Sequence, residues 1–235
     1  MDAEGEHWCN IWLEYAGGGS LADRIQSFGR GLPESKVRPY AKSVLLGLSY
    51  IHKKGYVHCD IKPQNILLVD TNDDLAMSVS GNRRVKESIA KIADLGLAKK
   101  ARQRQKGKGR LRGTALYMAP DLIQDEQYDS HTDIYRSINN TSNLTPWEYG
   151  PDTEREDILL RIGFTEDVPE IPRDLSKEAQ DFIKKCLVRD PKSPWTADML
   201  LGHPFVSVAD SAFTRSIEDK RNRVVLPKTA KAVLN

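Results

Sequence analysis

Long apolar runs are missing from this sequence, and cysteine is scarce. No stretch approaches the roughly 20 consecutive apolar residues that a membrane-spanning helix needs. The three cysteines, Cys9, Cys59 and Cys186, lie far apart and show no metal-ligand spacing. An odd number of widely separated cysteines favours a reducing compartment over a disulfide framework, and zinc is not implied.

A strong net charge is also absent. The formal net charge is +2 over 235 residues, which gives no reason to expect a polyanionic partner. With 39% hydrophobic and 29% charged residues, the composition is that of an ordinary soluble globular domain. Met1 is followed by Asp2 and Glu4, not by the basic and apolar segments of a secretory signal. We therefore expect a cytoplasmic protein, with the nucleus as the alternative location, and no membrane partner.

The most informative stretch is residues 58–65, which read HCDIKPQN. It places the carboxylate of Asp60, the cation of Lys62 and the amide of Asn65 within reach of a single reacting phosphate. Phosphoryl transfer needs little covalent help from a protein, so positioned charges and metal ions provide most of the catalysis. The alternative interpretation is a surface turn that happens to carry charges.

Two downstream segments favour the catalytic interpretation. Residues 89–93 predict a strand that leads into a turn at Asp94, Leu95 and Gly96. A plain strand end followed by a turn, with no catalytic role, is the alternative. Further along, residues 113–121 read GTALYMAPD, a long and specific motif. Together the three segments resemble, in order, the catalytic loop, D-F-G motif and end of the activation loop of serine/threonine protein kinases.

The resemblance implies a role for each of these residues. Asp60 is expected to accept the proton of the substrate hydroxyl, while Lys62 steadies the transferred phosphate. Asn65 and Asp94 are the expected ligands of Mg²⁺, and Thr114 is expected to bond toward Asp60 and Lys62. The cofactors implied are ATP and Mg²⁺, and the substrate is a protein serine or threonine.

The start of the chain is similar to the kinase hinge. Residues 8–15 predict a short strand, and Gly17, Gly18 and Gly19 predict a loop after it. A flexible linker is the alternative for a glycine run. The family match implies five contacts with the nucleotide: Leu13 as gatekeeper, backbone groups of Glu14 and Ala16 at the adenine edge, Ser20 at the ribose and Leu67 under the adenine.

The segment before this hinge lacks two features of an intact kinase. Neither a G-x-G-x-x-G loop nor a V-A-I-K-like strand occurs there. We therefore expect a truncated chain without most of the small lobe, and at most weak activity. A catalytically impaired pseudokinase or interaction module is the alternative function.

The predicted fold class is α/β (α+β) and protein-kinase-like, with a mainly helical large lobe and a remnant of the small-lobe sheet. Helices are predicted over residues 35–54, 153–164, 176–187 and 196–201 from their apolar periodicity. Pro39 predicts a shortened or kinked start of the first of them. We expect a kinase domain over residues 1–207 and a loose tail over residues 208–235.

Three departures from the family pattern stand out. The polar residues after Asp133 are poor in helix formers, and the family's long central helix is expected to be shortened near residues 134–145 and to loop away from the core. Asp121 and Pro194 stand where the family has a buried glutamate–arginine pair. Residues 70–88 form a polar insert of unassigned function, predicted to be an extended hairpin loop.

Partners follow from the family and from local charge. The closest group by resemblance is the plant mitogen-activated protein kinase kinase kinases, which makes a downstream kinase a candidate substrate. Residues 99–112 are rich in Lys and Arg and contain no acid, but aromatic residues that could stack on bases are absent from this run. Nucleic acid is therefore not expected as a partner. The sequence does not indicate an oligomeric state.

Overall fold

A computed structural model describes residues 12–29, 31–70, 88–101, 115, 118–125, 128–141, 153–189 and 195–207, without the side chains of residues 70, 121, 125 and 138–141. Over these ranges the chain is mainly helical. The helices are α1 (Leu21–Phe28), α2 (Glu34–Lys53), α3 (Pro120–Asp125), α4 (Ser130–Thr141), α5 (Arg155–Phe164), α6 (Lys177–Cys186), α7 (Ala197–Leu201) and α8 (Pro204–Ser207). The strands are β1 (Tyr56–Val57), β2 (Ile66–Asp70), β3 (Ser88–Ile92) and β4 (Lys99–Lys100).

Helix α2 forms the centre of the core. Apolar side chains recur along it every three or four residues, and that face is buried. It packs against β3, α7 and α4. The predicted shortening at Pro39 is wrong, because α2 begins at Glu34 and continues through the proline. The missing proline N–H affects only the carbonyl of Ser35, an exposed residue that solvent can reach.

The two small sheets place the catalytic stretch between them. Gly55 ends the connection after α2 with a positive φ of 78°, and β1 then pairs antiparallel with β4. Strands β2 and β3 form a second antiparallel pair in which Ile66 lies opposite Ile92. This register confirms the predicted hairpin strands, while the insert over residues 71–87 lies outside the described residues. Both sheets have two strands, as expected for a mainly helical lobe with little sheet.

The strand predicted over residues 8–15 is wrong for its described part. Residues 12–16 form no strand, because among the described residues no neighbouring strand offers them a ladder of hydrogen bonds. Trp12 is 94% exposed and Tyr15 is 87% exposed. The glycine loop does dock: the Gly18 amide donates to the Leu68 carbonyl at 2.9 Å, and the Leu68 amide donates to the Gly19 carbonyl at 2.8 Å.

Helix α1 was not among the predicted helices. Its signal is a capping box, in which the Ser20 side chain accepts from the Asp23 amide and the Asp23 carboxylate accepts from the Ser20 amide. The three predicted C-terminal helices are confirmed as α5, α6 and α7, each within two residues of its expected start. No described helix combines the length and the apolar content needed to cross a membrane.

Helix α4 corrects the expectation that the polar residues after Asp133 leave the core. The helix runs from Ser130 to Thr141, and all its residues from His131 to Ser137 are buried. Several of these buried polar side chains have partners, which lowers the cost of burying them. The Ser137 hydroxyl donates to the Ile134 carbonyl at 2.8 Å, and Arg136 lies beside a carboxylate described below. Residues 142–145 lie outside the described residues.

Candidate active site

A buried carboxylate on α4 holds the backbone of the catalytic stretch. Asp133 accepts from the His58 amide at 2.8 Å and from the Cys59 amide at 2.9 Å. The His52 Nε2 atom of α2 lies 2.9 Å from the same carboxylate. Cys59 has a φ of 67°, a left-handed conformation that costs energy in a non-glycine residue and persists only where its surroundings hold it. The two amide bonds to Asp133 provide that support.

His58 connects this loop to the strand that precedes Asp94. The imidazole is buried, and its Nε2 atom lies 3.0 Å from the Ala93 carbonyl. Its Nδ1 atom accepts from the Asp60 amide at 3.3 Å. The Nε2–H tautomer satisfies both bonds at once. The ring therefore sets the distance between the loop that carries Asp60 and the turn that carries Asp94.

The predicted base, Asp60, is surrounded by the partners that the sequence placed near it and by one that it did not. Lys62 Nζ lies 2.7 Å from Asp60 Oδ2. The Asn65 amide nitrogen donates to the Asp60 carbonyl at 2.9 Å and to Oδ2 at 3.1 Å. Arg136 Nη1 lies 3.8 Å from Oδ1. Asp60 is 5% exposed, so these contacts act in a setting where water screens charge weakly.

Asp94 is brought to the same end of the molecule by strand pairing. The amide of its neighbour Ala93 donates to the Asn65 carbonyl at 2.8 Å. Asp94 has a φ of 61°, and its Oδ1 atom accepts from the Gly96 amide at 3.1 Å. The carboxylate is exposed. The predicted glycine turn thus presents a charged oxygen ligand beside the catalytic loop.

These groups fit Mg²⁺, a hard cation that takes oxygen ligands. Asp94 offers an exposed carboxylate. The Asn65 amide nitrogen is committed to Asp60, which leaves the Asn65 amide oxygen as the ligand atom. The described residues contain no cluster of three or more His, Cys, Asp or Glu side chains that could hold a metal. Two protein ligands completed by phosphate oxygens and water are the usual arrangement for Mg²⁺ in nucleotide sites.

The residues expected to contact the nucleotide are placed unevenly. Leu67 is half-buried and forms an isolated bridge with Ser20, whose hydroxyl donates to Asp23 at 2.6 Å. Ala16 is half-buried, whereas Leu13 is 85% exposed. The exposed Glu14 carboxylate pairs with Lys91 of β3. Ser20 and Leu67 are therefore brought together, while the side chains of Leu13 and Glu14 face solvent or the surface of the sheet.

Other predicted features cannot be placed. Thr114 lies outside the described residues, as do most of the basic run over residues 99–112, Pro194 and the side chain of Asp121. Cys59 of the catalytic stretch is described. Burial, reinforced by the negative charge of Asp133, raises the pKa of its thiol to about 12. This thiol is therefore a protonated packing group at neutral pH and not a nucleophile.

Sequence reasoning missed the contact between Arg136 and Asp60. The sequence shows that Arg136 would need a partner if it lay in the interior, but it does not identify that partner. A cation in an otherwise buried segment is a signal in itself, because a buried charge requires a partner of opposite sign. The pairing of His52 with Asp133 was also missed, and nothing in the sequence marks these two residues as neighbours.

Comparison with known proteins agrees with the resemblance seen in the sequence motifs. The family model described as "Protein kinase domain" matches residues 3–206. Mitogen-activated protein kinase kinase kinase 20 of Arabidopsis thaliana is 40% identical over 212 residues, covering 87% of this chain and 57% of that protein. Mitogen-activated protein kinase kinase kinase 17 of the same plant is 33% identical, covering 90% of this chain and 59% of that protein.

A relative from a second organism is also similar to this chain. Mitogen-activated protein kinase kinase kinase A of Dictyostelium discoideum is 30% identical over 209 residues, covering 87% of this chain and 20% of that protein. The chain spans less than two thirds of the length of each of these three relatives.

Proposed function

This chain belongs to the protein kinase family, with mitogen-activated protein kinase kinase kinases among its relatives, and from this premise we propose that it phosphorylates serine or threonine in protein substrates. The observation that carries the proposal is the arrangement around Asp60, whose carboxylate meets Lys62 and Asn65 on one oxygen. We further propose a kinase domain over residues 1–207 and a tail over residues 208–235. A downstream kinase is the substrate class that the relatives' names suggest.

The proposed chemistry assigns a role to each residue of the site. Asp60 accepts the proton of the substrate hydroxyl, since a buried carboxylate that points from a loop is suited to a general base. Lys62, 2.7 Å from Asp60, is half-buried and can reach both that carboxylate and the phosphate being transferred. Asn65 and Asp94 hold Mg²⁺, and Leu67 with Ser20 lies where the nucleotide's base and sugar are proposed to bind. When bound, Mg²⁺ and ATP supply the phosphoryl group and neutralise its developing charge.

Phosphate transfer from radiolabelled ATP to a generic protein acceptor tests the proposal. We expect Mg²⁺-dependent incorporation, because Asn65 and Asp94 offer the oxygen ligands that Mg²⁺ prefers. Asp60→Asn should abolish it, because the amide cannot accept the proton. The matched control Asp174→Asn changes an exposed aspartate far along the chain from the proposed site and should leave the rate unchanged.

Absence of incorporation by the parent chain would overturn the catalytic proposal. The interaction-module alternative then makes its own prediction. Nucleotide binding measured by calorimetry with Mg²⁺-ATP would be undetectable, while the chain remains folded by circular dichroism. Incorporation that Asp60→Asn does not change would indicate a contaminating kinase.

A further inference from the structure

A fully buried arginine faces the proposed base from the interior of the helical lobe. Arg136 is 0% exposed and is among the largest fully buried side chains of the described residues. It lies one turn after Asp133 on α4, and its Nη1 atom is 3.8 Å from Asp60 Oδ1. Residues three apart on a helix share a face, so Asp133 and Arg136 meet the same loop from one side. Helix α4 thus places both a carboxylate, Asp133, and a cation, Arg136, against the catalytic stretch.

The two oxygens of Asp60 have different partners. Oδ2 is held by Lys62 and by the amide of Asn65, both from the catalytic stretch itself. Oδ1 faces Arg136, which comes from α4 and is 71 to 74 positions further along the chain than these two. The carboxylate is therefore held at one oxygen by its own loop and at the other by the central helix.

The buried positive charge of Arg136 is balanced by the nearby carboxylates of Asp133 and Asp60. An arginine removed from water is stable only if carboxylates surround it. Burial lowers the pKa of the Arg136 guanidinium, and the negative charges of Asp133 and Asp60 act against this effect, in that order. A neutral side chain at position 136 would leave two buried carboxylates with less compensation on this side of the loop.

We propose that Arg136 is a positioning residue that holds the Asp60 carboxylate from within the lobe, so that Oδ2 and not Oδ1 is the oxygen presented with Lys62 at the reacting phosphate. The role of Arg136 in catalysis rests on the proposed function, whereas its pairing with Asp60 does not. Arg136 acts through Asp60 and does not touch the substrate.

A double-mutant cycle of thermal unfolding tests the pairing of Arg136 with Asp60 and requires no activity measurement. Asp60→Asn keeps the shape of the side chain and should lower the Tm of the parent chain, because the buried cation loses one of its carboxylate partners. In the Arg136→Met background the same change should lower the Tm by less than half as much. Arg38→Met is the matched control: Arg38 lies on α2, pairs with Glu34 and contacts Phe205, so its cycle with Asp60→Asn should be additive.

The catalytic arm measures kcat and KM separately. Arg136→Met should lower kcat about tenfold or more with KM for ATP changed less than about twofold, because a misplaced base affects the transition state and not the bound nucleotide. Arg136→Lys retains the charge and should recover part of kcat. A residue that only stabilises the fold would change kcat in parallel with the folded fraction, which the Tm measurements report.

Each outcome has one meaning. An unchanged Tm for Asp60→Asn in the parent chain, or an additive cycle with Arg136→Met, overturns the pairing. If Arg136→Met does not fold, the cycle is measured with Arg136→Gln, which also removes the charge, and an additive cycle there overturns the pairing. A non-additive cycle in a parent chain without activity supports the pairing and overturns only the proposed function. A non-additive cycle with full kcat in Arg136→Met overturns the positioning role.

Discussion

At the scale of single residues, the site depends on one buried aspartate. Asp133 is 0% exposed and accepts hydrogen bonds from two consecutive backbone amides that no strand or helix could satisfy at that bend. One of those amides belongs to Cys59, whose left-handed backbone needs support. The geometry places both oxygens of Asp133 at hydrogen-bonding distance from the catalytic loop.

Asp133→Ala should be among the most damaging single substitutions. It leaves the amides of His58 and Cys59 buried without their acceptor, at about 1–3 kcal/mol for each unsatisfied group. We expect the free energy of unfolding to fall by about 2 to 6 kcal/mol, measured by urea titration. Asp174→Ala, at an exposed position, should change it by less than about 0.5 kcal/mol. An equal effect of the two substitutions would contradict the anchoring role.

At the scale of elements, one glycine allows two helices to pack closely and another lies between a helix and a strand. A Cβ atom on Gly163 of α5 would lie 2.6 Å from Ile123 Cγ2 and 3.1 Å from Ile123 Cβ of α3. The second atom is attached directly to the backbone, so the helices themselves must move apart. A Cβ atom on Gly47 of α2 would instead lie 2.9 Å from Cδ1, the far end of the Ile92 side chain. That end can rotate away.

Gly163→Ala should therefore destabilise the chain more than Gly47→Ala. Overpacking costs about 1–3 kcal/mol, more than the roughly 0.8–1.0 kcal/mol that alanine gains in helix propensity. We expect a lower Tm for Gly163→Ala and a smaller change, of either sign, for Gly47→Ala, both from calorimetry. The explanation fails if Ile123→Ala, which removes the obstructing methyl groups, does not reduce the effect of Gly163→Ala when the two are combined.

At the scale of the whole molecule, side chains distant in sequence join the helices. Glu34 at the start of α2 accepts from the Ser176 amide at 2.7 Å and from the Ser176 hydroxyl at 2.7 Å, at the start of α6. Arg38 lies 3.2 Å from the same glutamate. Burial raises the pKa of Glu34, but the bonds from Ser176 and the charge of Arg38 outweigh it, and the net shift is downward.

A lowered pKa in the folded state makes this junction sensitive to acid. The ordinary pKa is 4.5, so the contribution of Glu34 is complete above that pH and is lost as the pH falls through the lower folded value. Glu34→Gln should lower the stability at about pH 7 and weaken its dependence on pH between about 5 and 3, so that the two curves converge in acid. Urea unfolding across this range measures both. Glu178→Gln removes an exposed charge of α6 and serves as the control; an identical slope for Glu34→Gln and the parent chain would refute the assignment.

Local sequence patterns were sufficient to predict the family, most of the helices and the residues of the catalytic loop. The spacing of Asp60, Lys62 and Asn65 reflects chemistry within one loop, so contacts such as the 2.7 Å pair of Asp60 and Lys62 join residues already adjacent in sequence. Apolar periodicity similarly determined α2, α5, α6 and α7, because a helix that packs against a core must repeat its apolar face every 3.6 residues.

Other features depended on the tertiary structure, because they join segments that are distant in sequence. A strand forms only where another strand pairs with it, and residues 12–16 have no such neighbour among the described residues despite their apolar sequence. The polar helix α4 is buried because its partners, the loop amides at Asp133 and the Asp60 carboxylate at Arg136, lie some 75 positions earlier in the chain. Helix propensity and polarity describe a residue alone. The free energy of burying a charge depends on which opposite charge the fold places beside it.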